Sequence, residues 1–261
     1  MLETREFIID CELAPSCCLP HLHSTVYSPH CACCSPAGGT GTLGRLIAAW
    51  LAAQNGAPQL HLISRTGRLP AEAAADLLGP GSAAFNSLVT ITAADTAAAE
   101  DMHMIVHGTA AAGSYRHQPV SSFMHAGGVL ADATLANQTL SGIRSVAAPK
   151  TASMLAWMQA GSGQPASHKV LFSSIASLLG APGQANYAAA NAGLDGLAAQ
   201  LAASGLPAVS VQWGAWAGGG MAAADAQTAA RVERMGMSLI SAAAGLAALA
   251  AAVSGVASSI H

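Results

Sequence analysis

The sequence is poor in charged residues and in aromatic side chains. Only 9% of its 261 residues are charged and 4% are aromatic, and the formal net charge is −3. Globular proteins usually carry about a quarter of charged residues. A chain with so little positive charge is not expected to bind nucleic acid or an anionic membrane surface. So sparse a charged surface is typical either of a piece covered by other domains or of an alanine-rich, GC-biased genome.

Long apolar runs are also missing. No stretch of 18 or more consecutive apolar residues occurs, so the sequence predicts no transmembrane helix and no membrane partner. The first residues, MLETREFIIDCELAP, carry mixed charge and no long apolar core, which is not the pattern of a secretory signal. We therefore expect a cytoplasmic protein.

Cysteine is confined to the first 34 residues, and the remaining 227 have none. The body of the protein therefore has no disulfide framework. The cysteines are Cys11, Cys17, Cys18, Cys31, Cys33 and Cys34, with His21, His23 and His30 nearby. A zinc site is the alternative here, but the spacing is not that of a regular zinc-binding motif, and we predict no metal site. We interpret residues 1–35 as an irregular leader and 36–261 as the folded domain.

After the leader, short apolar runs alternate with helix-like stretches. This alternation predicts βαβ units and, with right-handed crossovers, an α/β fold with a doubly wound parallel sheet of the Rossmann kind. The predicted strands are Gln59–Ile63, Leu88–Thr92, Ser122–His125, Val170–Phe172 and Ala208–Gln212, and the predicted helices are Leu43–Gln54, Leu135–Met158, Tyr187–Ala203 and Ala242–Val253.

A glycine-rich turn opens the first of these helices. Glycines let a backbone approach a pyrophosphate closely, and a helix N-terminus offers free N–H groups to it. The residues predicted to bind a dinucleotide here are Gly38, Gly39, Thr40, Gly41, Leu43 and Gly44. The strand that should precede this turn is weak, because residues 27–37 include two prolines and few β-branched residues. Either that strand is distorted, or the leader is joined wrongly to the domain.

Two further positions indicate which dinucleotide is bound. Ser64 and Arg65 follow a predicted strand about 20 residues after the glycines, where an acidic residue would hold the ribose 2′-hydroxyl of NAD. An arginine instead accommodates the 2′-phosphate, so this position favours NADPH. Asp95, at the end of the next predicted strand, either contacts the adenine or caps a helix.

The segment from 170 to 195 carries the densest pattern, VLFSSIASLLGAPGQANYAAANAGLD. Ser174 lies thirteen residues before Tyr187, and Asn191 lies four residues after it, on the same side of a helix. Lys150 lies 37 residues before Tyr187 in a chain that has only two lysines. This segment and these separations resemble the active site of the ketoreductase domains of polyketide synthases, which are members of the short-chain dehydrogenase/reductase superfamily.

The resemblance extends over about residues 36–257 and implies roles for further residues. His125, Ala126 and Gly127 look like the cofactor-binding loop after the fourth strand. The residues similar to those that position the substrate and set its stereochemistry are Leu130, Asp132, Gln184 and Trp213.

The resemblance also implies an activity: NADPH-dependent reduction of a β-ketoacyl thioester, carried on an acyl carrier protein, to the β-hydroxyacyl thioester. Tyr187 would donate the proton, and Ser174 would hydrogen-bond the substrate carbonyl. Lys150 would hold the cofactor ribose and, with the oxidised nicotinamide, lower the pKa of Tyr187. Asn191 would hold a water molecule that passes protons towards Lys150.

The resemblance indicates a stereochemical type as well. B-type members carry Leu-Asp-Asp after the fourth strand, and this chain reads Leu130-Ala131-Asp132. A-type members carry a tryptophan eight residues before the catalytic tyrosine, where this chain has Leu179. We therefore expect B-type behaviour and a D-configured hydroxyl.

The chain departs from the family in one major respect. These ketoreductases usually have a structural half before the catalytic half, and only the catalytic half is visible here. The sequence is thus expected to be a fragment of a synthase, working beside its other domains, or an incomplete gene model. A non-catalytic, reductase-like module and a free-standing short-chain carbonyl reductase are the alternatives.

Overall fold

The computed structural model describes most of the domain. The described residues are 32–34, 39–53, 59–71, 88–107, 120–161, 168–217, 230, 232–234 and 236–258. Most of the predicted leader, including Cys11, Cys17, Cys18 and Cys31, lies outside them, as does Gly38.

Six parallel strands form one sheet in the order β3-β2-β1-β4-β5-β6. The strands are β1 (Ala32–Cys34), β2 (Gln59–Ser64), β3 (Val89–Ala93), β4 (Val120–His125), β5 (His168–Ser174) and β6 (Ala208–Trp213). All five neighbouring pairs are parallel, and the strand order reverses between β1 and β4. The predicted Rossmann-like α/β fold is confirmed.

Helices connect these strands. They are α1 (Thr42–Ala52), α2 (Ala99–His107), α3 (Leu140–Ala147), α4 (Ser153–Ala160), α5 (Ala176–Leu179), α6 (Ala185–Ala203) and α7 (Ala242–Ser258), with a 3₁₀ turn at Leu135–Asn137 and a π turn at Ala148–Ala152. Within the described ranges, none of the helices combines the length and apolarity that a bilayer span requires.

Two apolar cores lie on opposite faces of the sheet. On one face, Met124 and Phe172 pack with residues of α1 and α7. On the other face, Phe123 and Leu171 pack with residues of α2, α4 and α6. Neighbouring residues of β4 and of β5 thus point to opposite cores, as the alternation of side chains along a strand requires. Helices therefore cover both faces of the sheet, and a site can form at the edge where the carboxyl ends of the strands lie.

Strand β1 is short and distorted. Its three residues pair with β2 and with β4, but the register with β2 shifts between Ala32 and Cys34. They belong to the sheet, although the sequence placed them in the irregular leader. Pro29 and Pro36 flank the strand, and a proline cannot donate a hydrogen bond to a sheet. Of the two explanations for this weak segment, the distorted strand is the one observed.

The prediction of one helix over Leu135–Met158 is wrong. A 3₁₀ turn comes first, and α3 begins only at Leu140, after Thr139, whose Oγ1 accepts a hydrogen bond from Gly142 N. The π turn then separates α3 from α4 and contains Pro149. Because proline has no N–H to donate, the regular α-helical pattern cannot continue through this position.

Helix α6 packs so closely on the π turn that a side chain at Gly193 could be added only with a shift of Thr151. A Cβ atom built there would collide with Thr151 Cγ2, whereas one at Gly196, three residues on, meets nothing within 4 Å in the described structure. Alanine favours a helix over glycine by about 1 kcal/mol. We therefore expect Gly196→Ala to raise the free energy of unfolding by about 1 kcal/mol. The free energy of unfolding of Gly193→Ala should be about 2 kcal/mol lower than that of Gly196→Ala, because the added methyl group overpacks the contact with Thr151.

Urea denaturation of the two variants beside the parent chain measures this difference. Equal stability of the two variants would contradict the close approach of α6 to the π turn.

Candidate active site

The candidate residues meet at the carboxyl edge of the sheet, beside the point where the strand order reverses. In open α/β sheets a crevice forms at this switch point, between the loops that leave the two strands in opposite directions. Here the glycine turn follows β1, and the loop that begins at Ala126 follows β4. The next strand, β5, ends at Ser174.

Tyr187 and Asn191 lie in the first two turns of α6, and both are buried. The Asn191 side-chain amide donates to the backbone oxygen of Tyr187 at 2.8 Å. Asn186 fixes the start of the helix, because its Oδ1 accepts from Tyr187 N at 2.8 Å and its Nδ2 donates to Ala131 O at 2.8 Å. Among the described residues, the buried Asn191 Oδ1 has no hydrogen-bond partner. This oxygen is therefore ready to accept from a bound molecule.

Lys150 projects from the π turn into the interior and is only 3% exposed. Its Nζ donates to Phe172 O of β5 at 2.7 Å and lies 5.7 Å from the centre of the Tyr187 ring. Burial lowers the pKa of Lys150 from 10.5 to about 8, against the attraction of Asp195, which raises it. Lys150 is thus a buried cation close to the neutral phenol.

Burial dominates the titration of Tyr187 as well. It raises the pKa of the phenol, hydrogen bonding to Asn191 and Ser174 lowers it in part, and the charge of Asp132 adds to the rise. Desolvation of the phenolate thus outweighs the hydrogen bonds that favour it, and the lowering by Lys150 together with the oxidised nicotinamide stays a prediction. At neutral pH the side chain is therefore a protonated phenol, which is a proton donor.

Ser174 is the last residue of β5, at the edge facing the crevice. Its Oγ accepts from Ala176 N at 3.2 Å, which leaves the hydroxyl hydrogen for another acceptor. Ser174 is one of the groups that lower the pKa of Tyr187, so the two side chains lie close together. Lys150, Ser174, Tyr187 and Asn191 thus converge, as their spacing in the sequence led us to expect.

The glycine turn leads into a helix terminus suited to an anion. Gly39 N donates to Ile63 O at 3.0 Å, and the buried Thr40 follows it. Helix α1 begins after Gly41, and no side chain caps its described N-terminus, whose first turn holds no acidic residue. Its first N–H groups are therefore available to a phosphate. Leu43 packs against the apolar core, and Gly44 is a buried residue of the helix's first turn.

Ser64 and Arg65 form a tight turn at the end of β2. Ser64 Oγ accepts from Gly67 N at 3.1 Å, and Gly67 closes the turn with φ of 59°. A side chain at Gly67 would also lie 2.7 Å from Ala93 N, so the turn is locked against β3. Arg65 is exposed at this turn, beside the crevice edge of the sheet. Its position fits a contact with a 2′-phosphate, and Ser64 shapes the turn that presents it.

Asp95 stabilises a turn. Its Oδ1 accepts from Ala97 N at 3.0 Å, and its own N donates to Asp101 Oδ2 at 2.7 Å, just before α2. These contacts close a turn before α2, so both roles that the sequence left open, helix capping and adenine binding, stay predictions.

His125 ends β4 with its ring fully buried. Within the described part of the chain, neither ring nitrogen has a hydrogen-bond partner. Burial and the nearby charge of Lys150 lower the pKa of His125 to about 3, so the imidazole is neutral. The loop continues through Ala126 and the buried Gly127. The ring nitrogens of His125, unpartnered in the described contacts, and the uncapped N-terminus of α1 together fit the binding of a nicotinamide dinucleotide.

The loop after β4 is fastened to the start of α6. Gln184, itself buried, donates to Asp132 Oδ2 at 2.9 Å, and Ala133 N donates to Gly183 O at 2.9 Å. Leu130 is 38% exposed on this loop. The loop predicted to direct the substrate is therefore held against the helix that carries the proton donor.

Trp213 ends β6 inside the apolar core. Its ring lies 5.5 Å from that of Phe172 and 5.0 Å from that of Trp216. The contacts described for it are packing contacts, and its substrate contact stays a prediction.

Sequence reasoning missed a polar cluster around Asp195. Its carboxylate accepts from Ser177 Oγ, Ser210 Oγ and Gln212 Nε2. The available signal was an acidic residue in a charge-poor chain, four residues after Asn191 on the same helix.

Comparisons with known proteins agree with this geometry. The family model described as "KR domain" matches residues 36–218. The chain is 43% identical over 199 residues to polyketide synthase GfsB of Streptomyces halstedii, covering 76% of this chain and 3% of that protein. It is 40% identical over 209 residues to the phenolphthiocerol synthesis polyketide synthase Pks15/1 of Mycobacterium bovis, covering 78% of this chain and 10% of that protein. The chain thus spans a small part of these relatives.

Solved structures give the same result. PlmKR1, a ketoreductase from the first module of phoslactomycin biosynthesis in Streptomyces sp. HK803, matches with a TM-score of 0.74 and 32% identity. The match covers 88% of this chain and 50% of that one.

The buried charge of Lys150 should make the fold less stable than it would otherwise be. Because burial lowers the pKa of Lys150 to about 8, the unfolded chain binds this proton more tightly than the folded one. The destabilisation is complete below about pH 8 and fades as the pH rises towards the unfolded value. We expect Lys150→Met to raise the free energy of unfolding by roughly 1–2 kcal/mol at neutral pH.

Urea denaturation at neutral pH and at about pH 10 measures this effect, and the advantage of the variant should shrink at the higher pH. A variant that is less stable than the parent at neutral pH, or an advantage that grows with pH, would contradict it.

Proposed function

This chain belongs to the KR domain family of polyketide synthases, and we propose that it is an NADPH-dependent β-ketoacyl reductase. Its substrate is a β-ketoacyl thioester on an acyl carrier protein, and its product is the β-hydroxyacyl thioester. The observation that carries the proposal is the meeting of a protonated phenol, a serine hydroxyl and a buried ammonium group at the switch point of the sheet.

Tyr187 is the proton donor. When bound, NADPH supplies a hydride to the carbonyl carbon of the substrate. The phenol of Tyr187 gives its proton to the carbonyl oxygen, so that a C–H and an O–H bond replace the π bond of the C=O group and a C–O single bond remains. Because burial raises the pKa of this phenol, the donor stays loaded until the oxygen gains negative charge.

Ser174 and Lys150 stabilise the two charges that this transfer creates. The Ser174 hydroxyl lies at the phenol, where it can donate to the substrate oxygen as charge develops there. The Lys150 ammonium, 5.7 Å from the ring centre, stabilises the phenolate left after proton transfer. Asn191 Oδ1, buried and without a partner in the described contacts, holds the water that returns the proton.

The cofactor is held by the residues that fit a phosphorylated dinucleotide. The N-terminus of α1 after Gly41 takes the pyrophosphate, and Arg65 takes the 2′-phosphate. Lys150 and Tyr187 hold the ribose next to the nicotinamide, and the His125 ring nitrogens, which have no partner in the described contacts, bind the cofactor at the end of β4.

The reductase is of the B type, giving a D-configured hydroxyl. The support is Asp132, which the buried Gln184 holds on the loop after β4, and Leu179 in place of a tryptophan. Chiral chromatography of the reduced thioester tests this assignment, and an L-configured product would overturn it.

The partners are the carrier protein and other domains of a synthase. Large apolar side chains are exposed on the surface of this chain, among them Leu135 at 80% and Leu178 at 66% exposure. Covering by neighbouring domains removes such side chains from water.

Replacing Tyr187 by phenylalanine should abolish reduction while NADPH still binds. General acids commonly contribute a hundredfold or more to the rate, and this change removes only the hydroxyl. NADPH oxidation is followed with trans-1-decalone, with a free β-ketoacyl thioester and with the same acyl group on a carrier protein. We expect turnover to fall at least about a hundredfold and the dissociation constant of NADPH, from its fluorescence, to stay within about threefold.

Each other outcome has a distinct meaning. Parent-level turnover in the variant would remove Tyr187 as the acid. NADPH binding without turnover of any substrate by the parent chain would favour the non-catalytic module. Equal turnover of free and carrier-bound substrates would favour a free-standing reductase.

Replacing Arg65 by aspartate should change cofactor preference. The new carboxylate repels the 2′-phosphate of NADPH and accepts from the 2′-hydroxyl of NADH, so the NADPH:NADH ratio of kcat/KM should fall at least about tenfold. Arg68→Asp, on an exposed residue three positions on, is the control with the same charge change. An unchanged ratio in Arg65→Asp, or an equal fall in the control, would refute the phosphate contact.

A further inference from the structure

Asp195 of α6 is tied to two neighbouring elements. Its Oδ2 accepts from Ser177 Oγ at 2.6 Å and from Gln212 Nε2 at 2.9 Å, and its Oδ1 accepts from Ser210 Oγ at 2.6 Å. Ser177 lies on α5, whereas Ser210 and Gln212 lie on β6. One half-buried carboxylate therefore fastens α6 to both.

The same cluster reaches the catalytic residues through β5. Ser173 Oγ donates to Asn191 O at 3.3 Å and lies 3.5 Å from Ser177 Oγ. The residue before it in β5, Phe172, offers its carbonyl to Lys150 Nζ. Two consecutive residues of β5 thus contact Lys150 and Asn191, and Asp195 secures the helix that carries Asn191.

Asp195 also carries the charge opposite to Lys150. Burial raises the pKa of Asp195, but the hydrogen bonds from Ser177, Ser210, Gln212 and Ser173 more than offset this, so the carboxylate is ionised. Its attraction is the one that raises the pKa of Lys150 against burial.

The other titratable groups that face Lys150 do not take this role. His125 of β4 is neutral, and Tyr187 of α6 is an un-ionised phenol. Asp132, on the loop after β4, acts on the phenol.

We propose that Asp195 is a positioning residue of this reductase, which locks α6 against β6 and α5 and supplies the negative charge that stabilises the Lys150 ammonium. The effect of Asp195 on catalysis rests on the proposed function, whereas its effect on the charge of Lys150 does not. Asp195 is not one of the residues assigned to the substrate or the cofactor. It acts through Lys150 and through the placement of Tyr187 and Asn191.

The titration of Lys150 tests this directly. The chain has only two lysines, so NMR of protein labelled with ¹³C at lysine Cε gives two signals, and Lys169→Arg assigns them. In Asp195→Asn the midpoint of the Lys150 signal should fall by about half a pH unit or more, because an opposite charge is removed. An unchanged midpoint would overturn the proposal.

Two control variants separate charge from structure. Ser210→Ala removes one hydrogen bond to the carboxylate but leaves its charge, and Glu100→Gln removes an exposed carboxylate from α2. Both should leave the Lys150 midpoint in place. A shift in Ser210→Ala as large as that in Asp195→Asn would show that packing alone sets the midpoint, which would also overturn the proposal.

A reciprocal variant covers the case in which Asp195→Asn does not fold. Coupling between two sites is mutual, so Lys150→Met should raise the pKa of the Asp195 carboxyl, measured from its ¹³Cγ signal, by the same amount. No rise would contradict the coupling.

Activity supplies the second arm. Reduction that needs a protonated Lys150 is lost as the pH rises through the pKa of that residue, and in Asp195→Asn this loss should begin at lower pH. An unshifted kcat profile, with the NMR shift present, would refute the catalytic consequence. An inactive parent chain with the NMR shift present would instead refute the proposed function and leave the coupling standing.

Discussion

The ammonium group of Lys150, held inside the protein against one carbonyl oxygen, is the constraint on which the rest of the site depends. A buried cation is costly unless partners and an opposite charge compensate for it. The π turn brings Lys150 inward, β5 supplies the carbonyl of Phe172, and Asp195 supplies the charge. Gly193 lets α6 approach the π turn closely enough for these elements to pack. Each of these features is costly or unusual alone, and together they make one charged group tolerable beside the phenol.

The neighbours of this cation are kept neutral by the same surroundings. Burial and the charge of Lys150 hold the pKa of His125 near 3, and burial holds the phenol of Tyr187 in its protonated form. Among the described groups around the phenol, Lys150 is therefore the positive charge beside a loaded proton donor. Because a low-dielectric interior strengthens electrostatic interactions, Lys150 can stabilise the phenolate as it forms. The catalytic chemistry that we propose thus uses a group that makes the fold less stable, which is a common relation between activity and stability.

The parts that depend on local pattern were predictable from the sequence. Strands β2 to β6 lie within two residues of their predicted bounds because apolar runs between turns mark strands well. The family was recognisable because Ser174, Tyr187 and Asn191 stand at fixed separations along one strand-to-helix segment. The π turn was missed because a single proline inside an apolar helical pattern does not show how the chain rejoins the helix. The cluster at Asp195 was missed because its donors come from 15 and 17 residues further on and 18 residues earlier, and only the folded sheet brings them together.

Helix α6 explains why these distant contacts matter for the reaction. Tyr187, Asn191 and Asp195 follow each other at intervals of four residues, so they lie along one side of the helix. A helix is stiff over this length, and the hydrogen bonds that hold its second and third turns therefore also set the position of the phenol in its first. The bond from Ser173 to Asn191 O and those from Ser177, Ser210 and Gln212 to Asp195 fix these turns against β5, α5 and β6. Lys150 is bound to the same strand, β5, through Phe172 O. Strand β5 holds Lys150 and helix α6 carries Tyr187, so the contacts between β5 and α6 set the distance between the cation and the proton donor. The sequence pattern that specifies the site therefore extends from Ser174 to Asp195.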